Sequence, residues 1–242
     1  MTAIKKYHRP NSVDEAIKLL SPTSAILAGG TYLVPHLPAH VTELIDLQNT
    51  RLAKIEITET SVRVGAMVNL QTLVEQSDIP HIVRQAARSE GPNTMRNQAT
   101  IGGVVAGKDW ESELIAALLV HETMLTLETT QGTQTKALED YLADKLENTI
   151  ITAITFARGG KSALERVART PKDTAIVAVA GRVGNGISRF AFTGLAPTPI
   201  LLSPAKLTSL TPPADFRGSA AYRLDIAHTL STRVQNTLEK QS

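Results

Sequence analysis

Two glycine pairs stand where backbone amides could meet a charged ligand: Ala28-Gly29-Gly30-Thr31 and Thr100-Ile101-Gly102-Gly103. Glycine has no Cβ to hold a pyrophosphate away, so consecutive amides can cradle it. A helix starting directly afterwards adds its positive end to the same place. Each pair also reads as a plain tight turn, with Thr31 and Thr100 as turn residues, and the residues alone leave both readings open. The second pair opens a near match to the phosphate loop, Gly102-Gly103-Val104-Val105-Ala106-Gly107-Lys108-Asp109. The match fails at its last position, where a magnesium-binding hydroxyl is required and Asp109 would bring a carboxylate to the phosphates. Residues 93–99 are polar and irregular, so the strand that must precede such a loop is missing too, and nucleotide hydrolysis is set aside.

No other cluster supplies catalytic chemistry. His36 and His40 have the spacing of helical metal ligands, but Pro38 interrupts the helix and no carboxylate follows at a useful distance. There is no Gly-x-Ser-x-Gly elbow. The chain has no cysteine, which excludes a thiol nucleophile, disulfides and thiolate ligation of zinc or iron–sulfur clusters. Asp109, Glu111 and Glu113 gather at the start of a helical stretch, where the helix dipole accounts for them. No catalytic residue and no metal ligand is assigned, a silence that fits a protein whose cofactor carries the chemistry.

The elements that must position these residues fall into three blocks of a chain whose 242 residues allow one large domain or two to three small ones. In residues 1–53, Ser12-Val13-Asp14-Glu15 is a capping box opening an amphipathic helix that stops before Pro22. Strands are expected at 25–28 and 43–47. In residues 54–157, strands are expected at 54–58, 61–66, 124–129 and 150–156, and helices at 70–76, 81–89 and 111–121. A breaker at Gly91-Pro92-Asn93 starts a loop running into the second glycine pair. In residues 158–242, strands are expected at 162–169, 175–183 and 187–195, the last two joined by the hairpin signal Gly184-Asn185-Gly186. A helix over 218–239 places Leu224, Ala227, Leu230 and Val234 on one face. Small αβ units in series predict α+β rather than a doubly wound sheet.

Composition narrows the class of partner. Hydrophobic residues are 42% and charged residues 20%, as in soluble globular proteins. A net charge of +2 with scattered basic residues gives no phosphate-tracking stripe, so nucleic acid is not an expected partner. The first residues lack the apolar stretch of a secretory signal, and the longest apolar run, 114–120, is far too short to span a bilayer. A cytoplasmic protein, not transmembrane, is expected.

Dispersed matches along the whole chain carry a resemblance. Tyr7-His8-Arg9-Pro10-Asn11-Ser12-Val13-Asp14-Glu15-Ala16, Leu27-Ala28-Gly29-Gly30-Thr31 and Leu44-Ile45-Asp46-Leu47 come first. Val64-Gly65-Ala66, Arg96-Asn97-Gln98-Ala99-Thr100-Ile101-Gly102-Gly103, Ala196-Pro197-Thr198-Pro199 and Asp215-Phe216-Arg217-Gly218-Ser219-Ala220-Ala221-Tyr222-Arg223 follow. In this order the chain resembles the FAD-binding subunit of the molybdenum hydroxylases, of the xanthine dehydrogenase and carbon monoxide dehydrogenase types.

That resemblance implies an FAD-binding fold of the vanillyl-alcohol-oxidase type, with two N-terminal α+β lobes and a C-terminal lobe of a three-stranded sheet with helices. It implies noncovalent FAD between lobes. By position, Ala28, Gly29, Gly30, Thr31, Tyr32 and Leu33 match the first pyrophosphate segment. Thr100, Gly102 and Gly103 match the second, and Ser112 with Glu113 matches a serine–acid pair that touches the cofactor. It also implies a molybdenum-pterin large subunit that oxidises the substrate and a small subunit with two [2Fe–2S] clusters that relays electrons, in a dimer of heterotrimers. The flavin then delivers electrons to an external acceptor. Departures from the pattern are Val104 where asparagine is usual, Glu113 where aspartate is usual, Lys108-Asp109-Trp110 where Ala-Ser-Pro is usual, and Glu165 where lysine is frequent. A scaffold subunit of the same fold that has lost flavin, and a self-sufficient flavoenzyme, stay open as alternatives. Tyr32 reads as a cofactor stack or a packed loop tyrosine, Trp110 as a cofactor cover or an interface filler, and Arg96 as a phosphate partner or a structural arginine.

Overall fold

Short strands with an apolar face need partners, and the computed structural model, which describes residues 4–146, 148–184 and 186–241, gathers them into three sheets. The first is parallel, β1 (Lys6–His8), β2 (Ser24–Leu27) and β3 (Glu43–Asp46), in the order β1-β3-β2. Between β1 and β2 lies α1 (Val13–Lys18). Ser12 Oγ accepts from the Glu15 amide at 3.1 Å, and Glu15 Oε2 accepts from the Asn11 amide at 2.8 Å. The capping box therefore closes on Asn11 rather than on Ser12 itself. β1 is too short to show a period, and a tertiary bond marks it instead: the Tyr7 hydroxyl donates to buried Asp46 Oδ2 at 2.5 Å.

The second sheet is antiparallel, with β4 (Ile55–Ile57), β5 (Ser61–Gly65), β6 (Met124–Thr129), β7 (Gly132–Ala137) and β8 (Thr149–Ala157) in the order β4-β5-β8-β6-β7. Four of these strands were expected. β7 reads Gly-Thr-Gln-Thr-Lys-Ala and has no apolar alternation, because it is an exposed edge. The helices of this block are α2 (Leu70–Glu75), α3 (His81–Ser89), α4 (Asn93–Arg96), α5 (Ile101–Gly107), α6 (Glu113–Val120) and α7 (Leu138–Ala143). The segment expected as a loop into the second glycine pair is instead α4, a turn and the start of α5. Ile150 of β8 and Met67 pack with Ala16, Ile17, Ile45 and Leu47, joining the first two sheets through one apolar cluster.

The third sheet is antiparallel, with β9 (Lys161–Val167), β10 (Val177–Gly184) and β11 (Ile187–Phe192). A two-residue edge strand, β12 (Ile200–Leu201), adds a fourth to the three expected. Gly184 pairs with Ile187 as the hairpin signal requires, while Asn185 of that signal lies outside the described residues. The helix α8 (Ala220–Lys240) packs Ala227, Leu230, Val234 and Leu238 against Val177, Val179 and Phe192. Leu224, expected on that face, is only half-buried, and Arg223 is fully buried.

Helix α6 is buried all round because it lies between α3 and α5 on one side and β10 and β11 on the other. Three arginines of the C-terminal block fasten it. Arg166 Nε meets Glu113 Oε1 at 2.7 Å, Arg182 Nη1 meets Glu122 Oε1 at 2.9 Å, and Arg217 Nη1 meets Glu111 Oε2 at 3.0 Å. Glu111 and Glu113 are thus ion-paired rather than placed for the helix dipole alone. Arg223 completes the fastening. Its guanidinium lies 4.9 Å from the Trp110 ring, donates to the Ile176 and Gly194 carbonyls at 2.6 and 3.2 Å, and pairs with Asp215 at 2.9 Å. Trp110 therefore fills an internal junction.

Partial desolvation raises the Asp215 carboxyl, but the Arg217 amide and the Arg223 and Arg217 guanidiniums together hold it well below the usual carboxylate range. A depressed carboxylate stabilises fully above its unfolded value and loses that contribution as pH falls below it. Asp215→Asn should cost about 1–3 kcal/mol near neutral pH, since Arg223 stays buried with only carbonyl partners. Urea unfolding should show this difference shrinking as the wild type is taken into acid below about pH 4.

Candidate functional site

The first glycine pair leaves β2 and enters a turn in which Gly30 has φ +71°, a conformation that suits glycine. Gly29 is required for a different reason. A Cβ there would stand 1.8 Å from the Gln98 carbonyl oxygen, so this turn lies directly on the backbone that leads into α5. Among the described residues, no chain acceptor stands on the amides of Gly29, Gly30, Thr31, Tyr32 and Leu33. Five successive free amides at a turn with one left-handed residue form a concave set of donors for an anion.

The second glycine pair behaves otherwise. Thr100 caps α5, its Oγ1 accepting from the Gly103 amide at 3.1 Å. The Ile101 amide donates to the Val68 carbonyl at 3.0 Å, Gly102 to Ala66 at 2.9 Å and Val104 to Thr100 at 3.0 Å. These amides are already satisfied by the chain, so Gly102 and Gly103 do not offer the free donors expected of them. Gly102 serves close packing, since a Cβ would meet that of Ala66 at 2.6 Å. Lys108, the lysine of the near phosphate loop, turns away: its Nζ donates to the Tyr141 and Asp144 carbonyls, both at 2.6 Å.

Between the two segments lies a cavity of about 470 Å³. Ala28, Gly29, Gly30, Thr31, Tyr32, Leu33, Thr100, Gly102 and Gly103 all line it, so nine of the eleven residues expected from the sequence come together. Ile26, Leu47, Leu70, Val104 and Ile150 add apolar wall, and Glu90, Arg96 and Asp109 are its charged members. Tyr32 is half-exposed, stacks on His36 at 5.0 Å and lies over Gly107. Arg96 is tied by Nε to Gln71 Oε1 at 2.9 Å and by Nη1 to the Gly91 carbonyl at 2.6 Å, which gives it a structural role at the rim.

Ser112 and Glu113 do not line the cavity. Ser112 caps α6, accepting from the Ile115 amide at 3.1 Å, and its hydroxyl donates to Glu90 Oε1 at 2.6 Å. Glu113 is turned to Arg166; burial pushes its carboxyl up, opposed by Arg166 and Ser89. Glu90 is the wall residue that sequence reading missed, because nothing in the Ser89-Glu90-Gly91-Pro92 stretch distinguishes it from a surface acid before a breaker. Burial pushes its carboxyl up to about 7, against the Ser112 hydroxyl and the Leu114 amide, with Glu113 and Asp109 raising it further. Glu165, on β9, is not part of the wall.

Residues 2–157 match the family described as the FAD binding domain in molybdopterin dehydrogenase. The chain belongs to that family. Relatives include the carbon monoxide dehydrogenase medium chain of Hydrogenophaga pseudoflava, 28% identical over 96% of each chain. The glyceraldehyde dehydrogenase medium chain of Sulfolobus acidocaldarius is 26% identical, with 94% of this chain and 95% of the relative covered. Among solved structures, a chain of the H. pseudoflava carbon monoxide dehydrogenase lacking the Mo-pyranopterin moiety superposes with a TM-score of 0.88 at 25% identity, covering 97% of both chains. The α+β, FAD-binding fold expected from the sequence holds. No helix among the described residues is long and apolar enough to cross a membrane.

The free amides, the missing Cβ atoms and the apolar wall suit a ligand with a pyrophosphate between two flat apolar ends, as in a dinucleotide. Gly29→Ala should destabilise the fold by about 1–3 kcal/mol, because the new methyl overlaps backbone that cannot yield. Gly107→Ala, whose methyl would meet the Tyr32 ring at an ordinary 3.7 Å, should stay within roughly 0.5 kcal/mol of wild type. Thermal unfolding of the two variants checks the contrast.

Proposed function

We propose that this chain is the FAD-binding electron-transfer subunit of a molybdenum hydroxylase complex. The observation that carries this reading is the run of free amides at residues 29–33 facing a cavity that the second glycine segment closes. When bound, FAD supplies the conversion between one-electron transfers from iron–sulfur clusters and two-electron delivery to an acceptor. The chain's own residues bind and orient it. Amides 29–33 hold the pyrophosphate, Ala28 and Leu33 flank it, and Tyr32 covers its open side. Thr100, Gly102 and Gly103 form the opposite wall, where Gly103 leaves room for the ligand. Ser112 stands behind that wall, bonded to Glu90, and Glu113 beside it is turned away to Arg166.

With no cysteine, this chain cannot hold iron–sulfur clusters by thiolates, so the proposal places two [2Fe–2S] clusters on a small partner subunit and molybdenum-pterin on a large one. Bound FAD would supply electrons to an external acceptor. A cytoplasmic dimer of heterotrimers, with FAD bound noncovalently, is the assembly proposed, and the lobes are taken as 1–53, 54–157 and 158–242. One observation favours a second reading, a scaffold subunit that has lost flavin: the amides of 101–104 are consumed within the chain, and Val104 offers only methyl groups to the cavity.

The visible absorption spectrum of the purified chain separates the two readings. A flavin spectrum with stoichiometric FAD released by acid supports the electron carrier. A colourless protein that takes up no added FAD, yet binds its partner subunits, overturns it in favour of the scaffold.

A further inference from the structure

Glu90 has two carboxylate oxygens with different fates. Oε1 accepts from the Ser112 hydroxyl at 2.6 Å and from the Leu114 amide at 3.0 Å. On Oε2 no chain donor stands among the described residues, although the residue lines the cavity. Glu113, near enough in space to raise the Glu90 carboxyl, is engaged elsewhere: Arg166 holds its Oε1 at 2.7 Å, and its Oε2 is buried without a partner among the described residues. Two donors thus fix the Glu90 carboxylate while leaving one oxygen for something that enters the cavity.

We infer that Glu90, rather than Glu113, is the acid of this chain that contacts the cofactor, accepting a hydrogen bond through Oε2 from a hydroxyl or ring N–H of the bound flavin nucleotide. This rests on the proposal that the cavity holds FAD. The two donors on Oε1 favour the ionised form, and a phosphate nearby would oppose it, so a hydroxyl or N–H donor is the partner this geometry favours. Ser112 is then a positioning residue: it touches no ligand but presents Glu90 at a set angle, and its capping of α6 fixes its own rotamer. Arg166 contributes by withdrawing Glu113, which would otherwise crowd a second acid against the same wall.

A bland account is available, in which Glu90 serves only to cap the start of α6. Glu90→Gln separates the two, because the amide oxygen can keep both contacts now made by Oε1 while an N–H donor replaces Oε2. FAD affinity is read by quenching of flavin fluorescence on titration into apo-protein, with thermal unfolding of the apo-protein run alongside. The expected result is a dissociation constant raised roughly ten- to a hundredfold in Glu90→Gln, with an unfolding temperature no lower than wild type. Glu113→Gln should leave the affinity within about twofold and lower the unfolding temperature, since Arg166 loses its partner. An unchanged affinity in Glu90→Gln, or a loss confined to Glu113→Gln, overturns this inference while leaving FAD binding intact. Wild-type protein that takes up no FAD overturns both.

Discussion

Backbone touching backbone is the constraint on which the candidate site depends. At residue 29 the chain passes so close to the Gln98 carbonyl that no side chain fits, and at residue 102 a Cβ would stand 2.6 Å from that of Ala66 and 2.8 Å from its carbonyl oxygen. These contacts bring the turn after the first sheet and the entry to α5 together as opposing walls. They also divide the labour between two glycine segments that look equivalent in sequence. The first keeps its amides free, because the turn that carries it bonds little to itself; the second donates its amides to Val68, Ala66 and Thr100 to pin the helix in place. One wall therefore binds and the other shapes.

The same logic of fixed walls extends outward through α6. A helix buried on all sides leaves little water at its ends, so the largely buried Glu111 and Glu113, and the more exposed Glu122, are each met by cations. Arg166, Arg182 and Arg217 supply them from the C-terminal block, and Arg223 locks that block onto Trp110. The segment 215–223 thus holds the approach to α6, at a distance from the cavity. Its effect reaches the cavity through Ser112, whose hydroxyl holds Glu90.

A cavity with apolar walls, a row of amides and one poised carboxyl has little acid–base machinery of its own. Such a site suits a cofactor whose reactivity is intrinsic and whose protein needs only to hold, orient and shield it. Membership of the molybdopterin dehydrogenase FAD-binding family accords with that economy.

Much of this was legible in the residues. The capping box, the breakers, the hairpin glycines and the apolar periods are local signals, set by propensities that act within a few residues, and they located most strands and helices. The glycine segments marked the cavity because a missing Cβ is visible in sequence. What only the tertiary structure decided is which amides stay free, which acid faces the cavity and where Trp110 and Arg223 meet. Thr100-Ile101-Gly102-Gly103 reads as a loop until Val68 and Ala66 present their carbonyls to it. Ser112-Glu113 reads as a contact pair until Arg166, from a distant strand, draws Glu113 away and leaves Glu90 at the wall. Those outcomes depend on partners brought from other sheets, and a polar group's direction follows the partner it finds after folding, which its neighbours in the chain do not encode.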